Sequence, residues 1–424
     1  MRLRFAFLLG SLLFAAPAAA ETLIVHAGRL ITDPARPPLG PTTITIVDGR
    51  ISAISEGHTT APVGTARIVD LRTKTVLPGL IDAHVHLSGD PNDDYRDVAV
   101  NPSEWATIIG AKNALVTVRA GFTTVRDLGS PALVGTMLAR GTAEGAIPGP
   151  RIVASGPAIS IVGGHGDVTG FRPDVAKVLD EGNSCTGAEQ CAARVREAAK
   201  RGAAVIKITA TGGVLSQQSR GLDQHFTDEE MRAIVDAAHR LGLKVAAHAH
   251  GPRGIEGAAR AGVDSIEHGS FADAAAIRMM KSKGTVMVPT LMAFTGTRER
   301  LGKGVYTPAV EAKVRTLLKE LGKAPRAARA AGVKFAFGTD SAVSEHGRNA
   351  EEFAMLVELA GMSPAEAIAS ATTEAAKLLD LDQEVGRIAP GYSADLIAVS
   401  GDPLQNVRVL EKVDYVMVRG REIE

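Results

Sequence analysis

The chain contains VIKITA at residues 205–210, DEEMRAIVDAAHRL at residues 228–241 and KVAAHAH at residues 244–250. The first and last runs are short and apolar, as buried strands are, whereas the middle run has apolar residues at helical spacing. A strand, a helix and a second strand in this order are typical of a parallel βαβ unit. This stretch therefore predicts an α/β fold.

The same alternation extends over residues 79–380. We predict eight strands, at residues 80–87, 123–128, 151–159, 205–210, 244–250, 265–269, 285–291 and 334–340. Helical patterns such as residues 188–201 and 308–321 lie between them. Eight strand-then-helix units in about 300 residues favour a (β/α)8 TIM barrel. A doubly wound sheet shares this alternation, but no glycine-rich dinucleotide-binding motif follows the first strand. The run GGHG (163–166) lacks the spacing of that motif and predicts a loop.

The two ends of the chain are rich in short strands. Residues 21–78 include TITIV (43–47) and RISAI (50–54), joined by the hairpin signal Asp48-Gly49, and residues 381–424 include ADLIAV (394–399) and VDYVMV (413–418). Such runs are typical of β-strands. We expect both ends to form one small β-sandwich domain beside the barrel of residues 79–380.

Residues 1–20 have the pattern of a secretory signal peptide. Arg2 and Arg4 precede an apolar run, and Ala18-Ala19-Ala20 supplies small residues before a cleavage point. The apolar run is too short to cross a bilayer, so we predict no stable membrane span. We predict an exported protein, periplasmic or secreted. The alternative is an N-terminal anchor helix that is never cleaved.

Two cysteines, Cys185 and Cys191, lie six residues apart. In the oxidising compartment that an exported chain enters, such a pair favours a small disulfide loop. The alternative is a nucleophilic cysteine, which has less support because neither residue lies at a strand end beside a histidine.

The charge balance also limits the function. The chain has 47 Lys plus Arg against 47 Asp plus Glu, and 45% of its residues are hydrophobic. This composition is typical of a globular protein. A nucleic-acid-binding protein usually carries a basic excess, so the balance argues against a nucleic-acid partner.

Polar residues recur in or at the ends of the predicted strands: His84, His86, Lys207, His248, His268 and Asp340. In a barrel, the carboxyl ends of all strands meet on one face, where barrel enzymes have their active sites. Lys207 is the most informative of them because a buried ammonium is costly unless it is paired or neutralised. A snorkelling or salt-bridged lysine is the alternative.

Four motifs carry a family resemblance: PGLIDAHVH (78–86), IEHG (266–269), GTDS (338–341) and GRIAPGYSADL (386–396). With them the chain resembles the amidohydrolase superfamily, and within it the exported imidazolonepropionase-like and Xaa-Pro dipeptidase-like metallohydrolases. One branch of these relatives hydrolyses the amide of ochratoxin A. The resemblance also implies a homo-oligomer, with an octamer as one candidate.

The resemblance implies a binuclear metal site. His84 and His86 would bind one ion, and His248 and His268 the other. Lys207, carbamylated by CO₂, would bridge both ions. Asp340 would touch the first ion and act as the catalytic acid and base. Imidazole and carboxylate ligands make Zn²⁺ the first choice, while manganese, cobalt or nickel remain open.

Four further residues are candidates for substrate binding. His165 resembles a substrate-contacting histidine of these relatives, and Ser88 follows the first ligand pair. His250 is two residues from a predicted ligand, so it should face the same side of its strand. Arg220 lies in the loop after the fourth strand. A structural histidine and a solvated loop are the alternatives.

The expected function is hydrolysis of the amide or peptide bond of dipeptides or N-acyl amino acids with a free carboxylate, with ochratoxin A as a candidate substrate. One alternative is a mononuclear cyclic-amide hydrolase or deaminase of the imidazolonepropionase kind, against which Lys207 argues. Another is a solute-binding scaffold, which would have no use for the proton shuttle at Asp340.

Overall fold

The computed structural model describes residues 22–59, 66–93, 96–216 and 221–424. The predicted signal peptide and Arg220 lie outside the described residues. The strands within these ranges are β1 (Thr22–Leu30), β2 (Thr42–Val47), β3 (Arg50–Glu56), β4 (Ala66–Pro78), β5 (Leu80–Val85), β6 (Phe122–Asp127), β7 (Arg151–Ala154), β8 (Ser160–Ile161), β9 (Ser184–Cys185), β10 (Ile206–Thr209), β11 (Val245–Ala249), β12 (Ser265–His268), β13 (Val286–Val288), β14 (Leu396–Val399), β15 (Val413–Val418) and β16 (Arg421–Glu422).

The helices of the same ranges are α1 (Ser103–Arg119), α2 (Val134–Glu144), α3 (Pro173–Leu179), α4 (Ala188–Lys200), α5 (Asp228–Arg240), α6 (Pro252–Ala261), α7 (Ala274–Lys283), α8 (Leu291–Arg300), α9 (Pro308–Leu318), α10 (Lys323–Ala330), α11 (Glu351–Glu358), α12 (Pro364–Ser370) and α13 (Thr373–Leu378). Short 3₁₀ helices cover Asp97–Ala99 and Val407–Glu411. No helix among the described residues is long and apolar enough to cross a membrane.

Both ends of the chain contribute to a seven-stranded sheet of order β16-β15-β14-β4-β1-β2-β3. β4 pairs in parallel with β1 and antiparallel with β14, which joins the two ends. Val25, Ile44, Ile46 and Leu396 are among its fully buried residues. The strands belong to one sheet, so the two-layer sandwich stays a prediction.

The middle of the chain has parallel strands in two sheets, β5-β6-β7 and β10-β11-β12-β13. Thr209 of β10 pairs with His248 of β11, and Ala249 of β11 pairs with His268 of β12. The pairing register therefore brings the ends of these strands to one edge. The predicted α/β fold with parallel strands is confirmed.

Helix α5 begins where the sequence supplies a cap. Thr227 and Glu230 form a reciprocal capping box at the start of α5, which satisfies two backbone N–H groups that the helix leaves unpaired. The buried face of α5 includes Met231, Ile234 and Val235. α5 is thereby packed against the core and leads into β11.

The prediction of a regular eighth strand at residues 334–340 is wrong. Phe335 forms an isolated bridge with Met287, and Ser341 forms one with Val85. Asp340 has a φ of 58° and Ala342 a φ of 107°, so the backbone leaves the extended region here.

Two other predicted strands are less than half as long as expected. Residues 151–159 form a strand only as far as Ala154, and Ile159 makes an isolated bridge with Ile208. Residues 285–291 shorten to β13 because Thr290, with a φ of 48°, turns the chain and Leu291 begins α8.

Cys185 of β9 and Cys191 of α4 form a disulfide. Both residues are fully buried. The bridge joins the short β9 strand to the first turns of α4.

Candidate metal centre

The strand ends surround a cavity of about 370 Å³. Its polar lining residues are His84, His86, His165, Lys207, Thr209, His248, His250, His268, Thr297 and Asp340. Its larger apolar lining residues are Leu128, Val214, Leu215, Phe294, Leu317 and Val343. All six predicted metal ligands thus line the same space, as do His165 and His250.

His84, His86 and Asp340 form one group of potential ligand atoms. Asp340 Oδ1 lies 3.2 Å from His86 Nε2 and 3.5 Å from His84 Nε2. Lys207 Nζ lies 3.3 Å from His84 Nε2, and Lys207 is only 4% exposed. Burial lowers the pKa of Lys207 to about 8. The lysine is thus held against the first group in a low-dielectric interior.

His248, His250 and His268 form a second group. His268 Nε2 lies 2.9 Å from His248 Nδ1, and the ring of His250 stacks 4.9 Å from that of His268. The other nitrogen of His268 bonds Thr290, and Nδ1 of His250 bonds Ser270. These outer bonds fix the ring orientations and direct the remaining nitrogens inward.

The residues present fit a metal ion. Two ligands each about 2.1 Å from one Zn²⁺ ion at a tetrahedral angle lie ~3.4 Å apart, which is close to the separations within both groups. Burial lowers the pKa of His248 and His268 well below the usual value, so the imidazoles are neutral and keep a free lone pair. His84, His268 and Asp340 also bring three ligand atoms within 4.8 Å of one another.

The backbone is strained at the same place. His268 and Thr290, like Asp340, have positive φ values, of 71° and 48°. Such left-handed geometry costs about 1–3 kcal/mol at a residue other than glycine and clusters at functional sites. Neighbouring residues of a regular strand point to opposite sides. Because His268 at the end of β12 has a positive φ, both its side chain and that of Glu267 face His84.

Sequence reasoning missed a buried pair beneath the site, Glu267 and Arg126. Glu267 Oε2 accepts from His84 Nδ1 at 2.8 Å, and Arg126 Nη2 donates to Glu267 Oε1 at 2.9 Å. Burial alone would raise the pKa of Glu267, but Arg126 and His84 outweigh it and lower that pKa to about 2. The charged pair thereby fixes the tautomer of His84 and leaves Nε2 facing the cavity. The sequence feature that could have indicated this pair is a charged residue inside a buried strand, Arg126 in β6 and Glu267 in β12.

Replacing Arg126 by methionine should destabilise the protein strongly. The change leaves the Glu267 carboxylate buried without its partner, which typically costs about 3–5 kcal/mol. Urea titration would measure this as a lower free energy of unfolding. Arg140→Met removes an arginine from an exposed ion pair and should change the stability by less than about 0.5 kcal/mol. Equal stabilities of the two variants would contradict the argument.

Two of the four predicted substrate residues, His165 and His250, line the cavity. His165 bonds Ser216 Oγ at 2.6 Å, and its ring lies 4.4 Å from that of His248. Ser88 instead lines a neighbouring cavity of about 710 Å³, which shares Gly129, Ala158 and Gly166 with the first. The role of Ser88 as a substrate-binding residue at the rim of the site stays a prediction. Arg220 has no described position.

Comparison with known proteins identifies the family. Residues 75–423 match the model of the amidohydrolase family. The chain belongs to the amidohydrolase family. Ochratoxinase of Aspergillus niger is 33% identical over 423 residues, which cover 95% of this chain and 86% of that protein. The predicted superfamily and the predicted hydrolase acting on C–N bonds are confirmed.

Solved structures of similar amidohydrolases agree with this assignment. A Xaa-Pro dipeptidase with bound methionine in its active site has a TM-score of 0.88 and 39% identity, with 95% of this chain and 99% of that chain covered. A prolidase complexed with N-methylphosphonate-L-proline has a TM-score of 0.86 and 32% identity, with the same coverage. Amidohydrolases depend on metal, and the histidine and aspartate groups here are suited to hold it.

Proposed function

We propose that this amidohydrolase is binuclear and cleaves the amide or peptide bond of dipeptides or N-acyl amino acids that have a free carboxylate. The observation that carries the proposal is the convergence of the four predicted ligand imidazoles, Lys207 and Asp340 on one cavity. The similarity to a Xaa-Pro dipeptidase and to ochratoxinase supports amide substrates of this size. Ochratoxin A is a candidate substrate.

We propose further that the parallel strands close into an eight-stranded barrel of residues 79–380, with a β-sandwich formed by residues 21–78 and 381–424. Three isolated bridges support closure. Ile159–Ile208 links the two parallel sheets at one side, while Met287–Phe335 and Val85–Ser341 link them through residues 335–341 at the other. The segment after α10 then takes the place of the eighth strand.

In this proposal the ligands divide between two ions, and His250 is left for the substrate. His84, His86 and Asp340 would hold the first and His248 and His268 the second, with carbamylated Lys207 shared between them. Zn²⁺ suits these ligands best. Two bound ions would supply Lewis acidity at the carbonyl and lower the pKa of water.

The protein's own groups would move the protons and orient the substrate. Asp340 Oδ1 would accept the proton of the attacking water and return it to the leaving nitrogen, since an amide leaving group needs a proton. His165 and His250 would donate hydrogen bonds to the substrate. The apolar residues Phe294 and Leu317 would accommodate its side chain and exclude water.

Two parts of the proposal rest on sequence alone. Residues 1–20 would direct export to the periplasm or the medium, where the Cys185–Cys191 disulfide would form. The family resemblance supports a homo-oligomer.

The test of this function combines metal analysis with a substrate panel. We expect two metal equivalents per chain and hydrolysis of dipeptides and N-acyl amino acids ending in a carboxylate. Converting that carboxylate to an amide should lower kcat/KM by about 30-fold, since a charged hydrogen bond is lost and a buried donor is left unpaired. Equal rates on both forms would contradict carboxylate recognition. One metal equivalent and activity only on cyclic amides would support the imidazolonepropionase-like alternative.

A further inference from the structure

A substrate carboxylate in this cavity needs a positive group nearby. Of the described residues that line the cavity, Lys207 alone carries an ammonium or guanidinium group. Its proposed bridging role leaves it unable to bind the substrate. Among the described residues, a cation for the carboxylate would therefore lie behind those that line the cavity.

Lys313 of α9 is such a cation. Its Nζ donates to the carbonyl oxygens of Gly213 at 2.9 Å and Ser216 at 2.8 Å. Val214 and Leu215, which lie between these two carbonyls, line the cavity. An ammonium has three N–H donors, and these two bonds use two of them. The charge of Lys313 is thus held directly behind the cavity wall.

Residues 213–216, whose carbonyl oxygens bind Lys313, also contact His165. Ser216 Oγ bonds His165 Nδ1 at 2.6 Å. Gly213 lies against the same ring, because a Cβ atom at this position would come 2.2 Å from His165 Cε1. Lys313 therefore acts on His165 through residues 213–216.

We propose that Lys313 determines substrate specificity by recognising the carboxylate of the leaving amino acid. It fixes residues 213–216, and through Ser216 the ring of His165, and its ammonium lies behind the part of the wall that Val214 and Leu215 form. This inference rests on the proposed amide hydrolysis, since it assigns the carboxylate end of that substrate to the side of the cavity covered by α9.

Binding of L-phenylalanine and L-phenylalaninamide, measured by calorimetry on the purified full-length protein, tests the inference without turnover. The wild type should bind the acid more tightly than the amide. Lys313→Met should weaken binding of the acid by about tenfold or more, the size of one charge-assisted hydrogen bond, and leave the amide unchanged. Lys313→Arg should keep most of the preference. Lys319→Met, at the exposed C-cap of α9, should behave as the wild type.

A purely structural lysine would give a different result. Lys313→Met would then weaken the binding of L-phenylalanine and of L-phenylalaninamide equally, which would overturn the inference. Equal affinity of the wild type for both compounds, or no measurable binding of L-phenylalanine, would overturn it too. Hydrolysis of an N-acyl-phenylalanine adds a second readout, in which Lys313→Met should raise KM more than it lowers kcat. If no variant hydrolyses any amide but the acid preference is lost in Lys313→Met, the proposed function fails and the carboxylate assignment stands.

Discussion

Lys207→Ala should lose bound metal and activity together. Lys207 lies in β10 with its amine 3.3 Å from His84 Nε2, and it is nearly fully buried. In the proposed site its carbamate is the anionic ligand shared by both histidine groups. Without it, each group would hold its ion with neutral imidazoles and at most one carboxylate. We expect less than one metal equivalent per chain and at least about a hundredfold lower kcat/KM.

Metal content by plasma emission spectrometry and steady-state kinetics would measure both effects. Lys200→Ala, which changes an exposed lysine at the end of α4, is the matched control and should keep metal and activity. Added bicarbonate with a short carboxylic acid should restore part of the metal and activity of Lys207→Ala, since the acid can occupy the place of the carbamate. A fully loaded and fully active Lys207→Ala protein would rule out the bridging role.

The strand-end residues could be predicted because each one departs from a local pattern. Lys207 interrupts an apolar run, and the pair His84 and His86 has the spacing that places both side chains on one face of a strand. The parallel register of β10, β11 and β12 then brings distant segments together. This information is local in sequence, so the fold class and the metal cavity followed from it.

Long-range contacts could not be predicted in the same way. Arg126 and Glu267 are 141 residues apart, and their pairing depends on which side chains meet inside the parallel strands. Lys313 belongs to a helix whose contacts with residues 213–216 are visible only after folding. A charge in an apolar strand signals that a partner exists, but it does not identify the partner.

The errors arose where the backbone turns. The predicted eighth strand at residues 334–340 is not regular because the chain leaves the extended region at Asp340, whose φ is 58°. The strand predicted at residues 285–291 ends early for the same reason at Thr290, whose φ is 48°. Positive φ values at residues other than glycine cannot be inferred from propensity.

Asp340→Asn should keep much of the metal and lose most of the turnover. Asparagine has nearly the same shape and retains one oxygen, so the group formed with His84 and His86 keeps a ligand atom at the position of Oδ1. The amide oxygen is far less basic than a carboxylate and cannot carry a proton from water to the leaving nitrogen. General acid–base help is typically worth about 10²- to 10⁴-fold, so kcat should fall within that range.

The contrast between metal content and kcat makes this variant informative. Loss of a metal ligand alone would lower the metal content and kcat in parallel. Loss of a proton carrier would lower kcat in protein that still contains its metal. Asp174→Asn, at an exposed site in α3, controls for the general effect of removing a carboxylate. Near-normal turnover of loaded Asp340→Asn would assign the proton transfer to another group, and His165, which lines the same cavity, would then be the first candidate. Lys207→Ala therefore tests metal binding and Asp340→Asn tests proton transfer, although both residues line the same cavity.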